Sequence, residues 1–439
     1  MTSPATAVCT DTNTCLGVDA LPSNAGQANT AIGYRTLFTN IEDLNTAVGF
    51  QVLSNNTTGI FNTGLGANAI RDNTSGSGNI AVGREALSEN IEGGGNTAVG
   101  LQALQHSNTF DNTAVGTFAL RENILGIENT AIGMNALSRN TLGFYNTAIG
   151  KEALLFNIDG AQNTAIGRLA LGSLTYANDN TAVGANSLML SKTANRNTAV
   201  GLDAQRENRS GSSNTSIGVD SLRNSRSGVR NVALGYQAGI GIEGSDNIVI
   251  GARTQGGVAD NGVIRIGSNT LQKKAFVAGI RGVQIDPSTA TAVFIGANGQ
   301  LGTITSSREV KEDVQPMGSV SERLMSLRPV TFRYKEHEED GSQPVQFGLI
   351  AEEVADLFPE LVVRNEKGQP ETVAYHLLPS LLLNQLQKEH ELNQRQAEQL
   401  AAQATQLAEV SELKQQLAEM KELLAALQSQ SKESQVAQR

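Results

Sequence analysis

Asn129-Thr-Ala-Ile-Gly133, Asn146-Thr-Ala-Ile-Gly150 and Asn163-Thr-Ala-Ile-Gly167 are copies of one five-residue word set 17 residues apart. Working outward, the leading Asn returns upstream at 112, 96, 79, 62, 45 and 29, and downstream at 180, 197, 214, 231 and 247. The spacing is 17 residues, or 16 where a turn has lost one, and Asn13-Thr-Cys-Leu-Gly17 is a degenerate earlier copy. Such a period is too short for a pair of helices and suits one coil of a β-solenoid. Alternation along the word puts Thr and Ile on one side and Asn, Ala and Gly on the other. Small-Leu pairs such as Ala136-Leu137 and Ala153-Leu154 mark a second short strand, while Asn and Gly supply turns that tolerate positive φ. Stacked coils then align Ile on Ile, Leu on Leu and Asn on Asn, with amides bonding along the stack. With layers about 4.8 Å apart, the copies build a rod on the order of 70 Å long.

Composition fits thin layers better than a thick core: of 439 residues, aromatics make up 4%, Trp is absent and Gly reaches 45 copies. Each coil offers only two sizeable apolar side chains, so a lone rod is thinly packed, and side-by-side association of several chains is the simplest remedy. The repeated Asn and Thr read as architecture. A carbohydrate-binding surface is the competing reading, but Tyr34, Tyr145, Tyr176 and Tyr236 do not recur at one repeat position. Residues 1–305 hold 19 Lys+Arg against 21 Asp+Glu, and the rest of the chain holds 14 against 22. Neither part shows a basic stripe, so nucleic acid is not expected as a partner. No apolar run approaches a membrane span, and Met1–Ala20 lacks the basic start and apolar stretch of a signal peptide. Cys9 and Cys15 read first as two unpaired thiols, with a small disulfide or an interchain crosslink as alternatives. His106, His337, His376 and His390 show no ligand spacing, so neither a metal nor a cofactor is expected.

The pattern breaks after Gly251. Ala275–Val283 and Thr291–Gly296 read as longer strands that cap the last coil, with Asn298-Gly299 as a turn. A different kind of sequence follows. Ser306-Ser-Arg-Glu-Val-Lys-Glu-Asp-Val314, Leu327-Arg-Pro-Val-Thr-Phe-Arg-Tyr-Lys335 and Phe347-Gly-Leu-Ile-Ala-Glu-Glu-Val354 come in that order. Together they resemble the intramolecular chaperone domain of phage tailspikes and tail fibres, the self-cleaving peptidase S74 family, over roughly Thr303 to Leu386. More loosely, the repeat resembles the head coils of trimeric bacterial adhesins. The S74 resemblance implies a trimeric domain that templates folding of the preceding shaft and is then cut off in a single turnover. It also implies a cleavage motif that begins with Ser and places Lys five residues later, here Ser306 and Lys311. The usual Asp after the Ser is replaced by Ser307, and Glu309 stands where many members have Arg.

The chemistry of the pair can be weighed on its own. A Ser hydroxyl needs a base, and Lys serves only if burial or a nearby cation lowers its pKa, against the pull of Glu309, Glu312 and Asp313. In an extended strand residues 306 and 311 lie about 17 Å apart, so a working dyad needs a bend or a Lys from a neighbouring chain. The plain alternative is that Ser306 and Ser307 cap a helix and Lys311 is a solvated charge. Phe332, Phe347 and Ile350 read as core. From Leu377 the chain is helical, and Val410, Leu413, Leu417, Met420, Leu424 and Leu427 form a heptad seam. A membrane-surface helix is disfavoured by its acidity.

The expectation is a mainly β protein: a trimeric β-solenoid or β-roll shaft, a small α+β chaperone domain and a C-terminal trimeric coiled coil. The segments are 1–28 (N-terminal), 29–251 (solenoid), 252–305 (β-rich connector), 306–376 (chaperone), 377–430 (coiled coil) and 431–439 (disordered tail). The expected partners are two further copies of the chain and, as a fibre, a host-cell receptor or other fibre and virion proteins. The expected location is a virion or an extracellular fibre made in the cytoplasm. A trimeric cell-surface adhesin with an uncleaved cap is the alternative.

Overall fold

The computed structural model describes residues 9, 12–268, 270–280, 282, 284–296, 298–336, 341–365 and 367–436. It divides into two compact units, 1–281 and 282–439. The first is a single ladder of sixteen three-residue strands, from Thr14–Leu16 to Ile264–Ile266, each parallel to the next. Fifteen coils therefore separate the first strand from the last. Register is like-on-like: Thr130 pairs Thr147, Ala131 pairs Ala148 and Ile132 pairs Ile149. The alternation follows the expected sides. Asn and Ala point inward and are buried, whereas Ile132 is 39% exposed and Ile149 36%. The core is accordingly a stack of small and medium side chains, with Ala131, Ala136 and Leu137 fully buried.

Two columns of asparagine amides run through that core. The Asn146 N–H donates to Asn129 Oδ1 at 3.0 Å, and Asn146 Nδ2 donates to the same oxygen at 3.1 Å and to the Gly160 carbonyl at 2.8 Å. In the second column Asn140 Nδ2 donates to Asn123 Oδ1 at 2.8 Å and to the Gly143 carbonyl at 2.8 Å. Where Ser107 and Leu174 replace the asparagine of this column, the oxygens of Asn90 and Asn157 are left buried and unpartnered among the described residues. The closing Gly of the word is fixed by two constraints. Gly150 has φ +133°, and a Cβ on it would lie 2.7 Å from the Gly167 carbonyl carbon and oxygen.

The Ala-Leu pair is not a second strand. Ala136-Leu137 lies in a turn with Asn135 at φ 58° and Leu137 at φ 49°, the left-handed region that side chains usually avoid. Hydrogen bonds to both neighbouring coils hold it there: Asn135 N–H donates to the Thr117 carbonyl (3.0 Å) and Leu137 N–H to that of Ala153 (2.9 Å). This conformation turns the Leu137 side chain fully inward. The ladder also runs one coil past Gly251. Val263 replaces the leading Asn but keeps its backbone bond, donating to Asn247 Oδ1 at 3.0 Å.

One interruption divides the apolar core. At the Leu position Gln205 is buried, and its Nε2 donates to the Thr198 carbonyl and to Ser216 Oγ, each at 3.0 Å. Ser216 holds an Ala position in the next coil, so the two polar residues satisfy each other. The core clusters separate there, one ending at Ala204 and the next starting at Leu222. At the other end, Cys9 and Cys15 are joined as a disulfide with Cα atoms 5.9 Å apart, which corrects the reading of two unpaired thiols. Cys15 occupies an Ala position and packs on the core.

The second unit opens with a small hairpin, Phe294–Ile295 against Leu301–Gly302, around the Asn298-Gly299 turn. The longer strands expected at 275–283 and 291–296 shrink to this pair, residues 281 and 283 lying outside the described ones. Leu324, Val354, Phe358, Leu361, Val373 and Leu381 form a compact core. They come from a 3₁₀ segment Gly318–Ser326, helix α1 (Ala351–Leu357), the 3₁₀ turn Pro359–Leu361 with its cap Phe358, the hairpin Val362–Arg364 with Pro370–Val373, and the start of helix α2 (Leu378–Val436). Helix α2 carries the chain past the expected boundary at 430, and residues 437–439 lie outside the described ones. Its apolar seam is uncovered in the single chain, with Leu413 63% and Leu417 54% exposed. No helix among the described residues is long and apolar enough to cross a membrane.

Substitutions at two positions test the ladder by thermal melting. Gly150→Ala should destabilise the shaft by on the order of 3 kcal/mol, because both φ and the facing backbone forbid a Cβ. Asn140→Asp should cost more as pH rises. Its buried carboxyl faces the acceptors Asn123 Oδ1 and Gly143 O, which raise its folded pKa above the unfolded value of about 3.9, so stability falls as pH climbs from there. Asn140→Ala should lose stability without that pH dependence.

Candidate functional site

Ser306 and Lys311 bracket a short 3₁₀ turn, and the chain bends again at Asp313, where φ is 51°. Ser307 caps a single 3₁₀ turn, Arg308–Val310, its Oγ accepting the Glu309 N–H at 3.3 Å. Its own N–H donates to Thr305 Oγ1 at 3.3 Å. Lys311 closes the turn, donating its N–H to the Arg308 carbonyl at 3.2 Å. A turn therefore separates Ser306 from Lys311. Both side chains nevertheless stay exposed, and among the described residues no hydrogen bond joins them. The two serines differ in their duties. The Ser307 hydroxyl oxygen is engaged as a cap, a common role for Ser, whereas Ser306 has no such part in the turn. A serine and a lysine that are both open to water and unjoined by a hydrogen bond are not arranged as a nucleophile and its base.

Downstream, Arg328-Pro329 leads into the strand Val330–Phe332, which pairs antiparallel with Gln346–Gly348. Contrary to the expectation of a core residue, Phe347 is 82% exposed. It pairs with Thr331 in the ladder, and alternation turns it away from the face that Gly348 presents to Tyr375. Phe332 and Ile350 are half-buried. Tyr375 was not legible in the sequence: its Oη accepts the Leu349 N–H at 2.9 Å, and a Cβ on Gly348 would lie 2.8 Å from that oxygen. A second unforeseen group fixes the root of helix α2. Buried Ser321 donates to Gln385 Oε1 at 3.1 Å and accepts from Asn384 Nδ2 at 2.6 Å, beside the Lys388–Glu322 ion pair at 2.7 Å. These partners lie more than sixty residues apart in sequence, so no local pattern announces them.

Between α1 and residues Ser326–Arg328 lies a cleft of about 30 Å³, room for a water molecule and not for a substrate. At its rim Arg328 Nε donates to Glu353 Oε2 at 3.2 Å, with a second, shorter bond from Nη2 to Oε1. That hydrogen bond holds the Glu353 carboxyl below the usual glutamate range and raises the Arg328 guanidinium further. No group of three His, Cys, Asp or Glu among the described residues is placed to hold a metal ion.

Residues 306–363 match the family described as chaperone of endosialidase, Peptidase S74. The match begins at Ser306 and ends inside the second hairpin, so Val373 and Leu381 of the same core lie beyond it. No curated protein and no solved structure matches the chain.

The Arg328–Glu353 pair gives a pH-dependent prediction. Because the folded pKa of Glu353 is depressed, its contribution is present above the unfolded glutamate value of about 4.3 and is lost as pH falls through the folded value. Glu353→Gln should therefore slightly lower the melting midpoint of the 282–439 unit at pH 7. Wild type and variant should converge in acid. As an exposed pair its effect is small.

Proposed function

We propose that the chain is a subunit of a homotrimeric fibre whose C-terminal domain is an intramolecular assembly chaperone released by self-cleavage at Ser306. The observation that carries this is a Peptidase S74 match from residue 306, C-terminal to a shaft of near-identical layers that ends at Ile266. Between chains, layers that look alike can pair in the wrong register, and such non-local pairing is slow. A C-terminal trimer sets the register once and lets the coils zip from that end. Two uncovered apolar stripes support three-chain association: Ile149, Ile166 and Ile217 on the strand face, and Leu413, Leu417 and Leu424 on helix α2, which then pairs as a coiled coil.

Assembly is also what completes the site. In the trimer a neighbouring chain buries the turn in surroundings that favour a neutral amine over a charged one, and brings a lysine to Ser306. The neutral amine takes the hydroxyl proton as Ser306 Oγ adds to a neighbouring peptide carbonyl; the tetrahedral adduct then collapses, its C–N bond breaks as the lysine returns the proton to the leaving amine, and water hydrolyses the resulting ester to a carboxylate and free Ser306. Good orientation gives effective molarities of about 10⁵ M or more, enough for an event needed once per chain.

The mass of the purified polypeptide tests the cut. Ser306→Ala and Lys311→Ala should each leave a full-length 46.2 kDa chain that still trimerises, while Ser307→Ala should still be cut. Intact wild-type chains in assembled trimers would instead make the domain a permanent cap, as in an adhesin. For the chaperone role, residues 1–305 expressed alone should fail to give soluble, heat-resistant trimers. Recovering such trimers from that truncated chain would overturn the templating reading.

A further inference from the structure

The sequence shows no basic stripe, because residues 17 apart do not look adjacent; stacking makes one. At the turn position twelve residues after the leading Asn, three consecutive coils carry Lys192, Arg209 and Arg226. Backbone bonds place them directly above one another: Lys192 N–H donates to the Arg209 carbonyl at 3.4 Å and Arg209 N–H to that of Arg226 at 2.9 Å. All three are exposed, and among the described residues none forms an ion pair. Their cationic neighbours are already matched, Arg206 to Asp203 at 3.9 Å and Arg223 to Asp220 at 3.2 Å. Half-buried Glu207 lies within these turns, and Glu243 ends the column, its carboxylate accepting the Arg226 backbone N–H at 3.4 Å.

The shaft does not need charge at this place. Thr141, Ile158 and Thr175 hold it in the three preceding coils with the same backbone bonding. Like charges about 4.8 Å apart repel, as they do when they face each other across paired strands. A column of unpaired cations therefore weakens the stack unless something anionic lies along it. A second row runs alongside, one residue further on: Tyr176, Thr193, Ser210 and Ser227, all exposed. Tyr176, 60% exposed, stands at its upstream end.

We propose that this edge of the shaft binds a linear acidic polysaccharide. Its carboxylates meet Lys192, Arg209 and Arg226, its hydroxyls meet the Thr193–Ser210–Ser227 row, and one sugar ring stacks on Tyr176. Single-stranded nucleic acid is the other polyanion that fits a basic groove, but its binding relies on successive aromatic platforms. No aromatic residue occurs between Tyr176 and Tyr236.

The test is calorimetric titration of the full chain with alginate as the polyuronate probe, with neutral dextran and single-stranded DNA alongside. Alginate should bind, more weakly as salt rises, while dextran should not. The triple variant Lys192→Gln, Arg209→Gln, Arg226→Gln should bind alginate at least about tenfold more weakly, with a melting temperature equal to or above that of wild type. If the triple variant proves poorly folded, Ser210→Ala with Ser227→Ala should lower alginate affinity while leaving its salt dependence unchanged. Failure of wild type to bind alginate, unchanged affinity in the folded variants, or equally tight binding of single-stranded DNA would each overturn the proposal.

Discussion

One hydrogen bond, repeated, governs the shaft: a backbone N–H of each coil reaches the side-chain oxygen of the asparagine one coil below, as from Asn146 to Asn129. It demands an asparagine wholly inside the coil and a layer spacing short enough for the amide to span. That spacing brings backbone against backbone at Gly150 and Gly167, which excludes any side chain there. It also leaves so little interior that Ala and one Leu per coil fill it. Hydrogen bonding thus replaces much of what a thicker hydrophobic core contributes in ordinary domains. Covalent connectivity fixes the order of layers within one chain. Between chains, the uniformity that makes the ladder regular removes any local cue to alignment.

How much of this was legible depended on whether a residue's role is set by its own side chain. The asparagine and glycine columns were plain in the sequence because the same side chain returns in nearly every coil, held by the amide ladder in one column and by the facing backbone in the other. The coil at Val263 was hidden because there the ladder uses the backbone N–H and lets the side chain change. The Ala136-Leu137 turn was misread as a strand for a related reason. A left-handed leucine costs roughly 1–2 kcal/mol locally, and only bonds to the coils above and below, absent from any local window, hold it in place. Phe347 misled in the opposite direction, an aromatic in a strand whose covered face belongs to Gly348 and Tyr375.

The second unit follows a different logic. Its core is complete around Phe358 and Val354, and Ser321 ties the root of helix α2 into it. Beyond that root the helix shows its leucines to solvent, and the Ser306–Lys311 turn is equally open. The motif placed two residue types at a spacing, but the desolvation that makes such a pair reactive is not encoded within five residues. Under the proposed function both open features have one explanation, since the same association that covers the leucine seam encloses the turn. Chemistry would then wait on assembly without a separate control.

The buried pair Gln205 and Ser216 gives the ladder a grain. In a one-dimensional stack each coil is held only by its neighbours, so strength is local and the whole is as strong as its poorest joint. Across most joints leucine rests on leucine, whereas here an amide meets a hydroxyl and the apolar column is broken. If apolar contact sets the strength of each joint, the shaft under tension along its axis would part first between the coils that begin at Asn197 and Asn214. The longer run of coils upstream of that place would stay folded as a single piece. A ladder built this way would give at one joint near its C-terminal end instead of unravelling coil by coil.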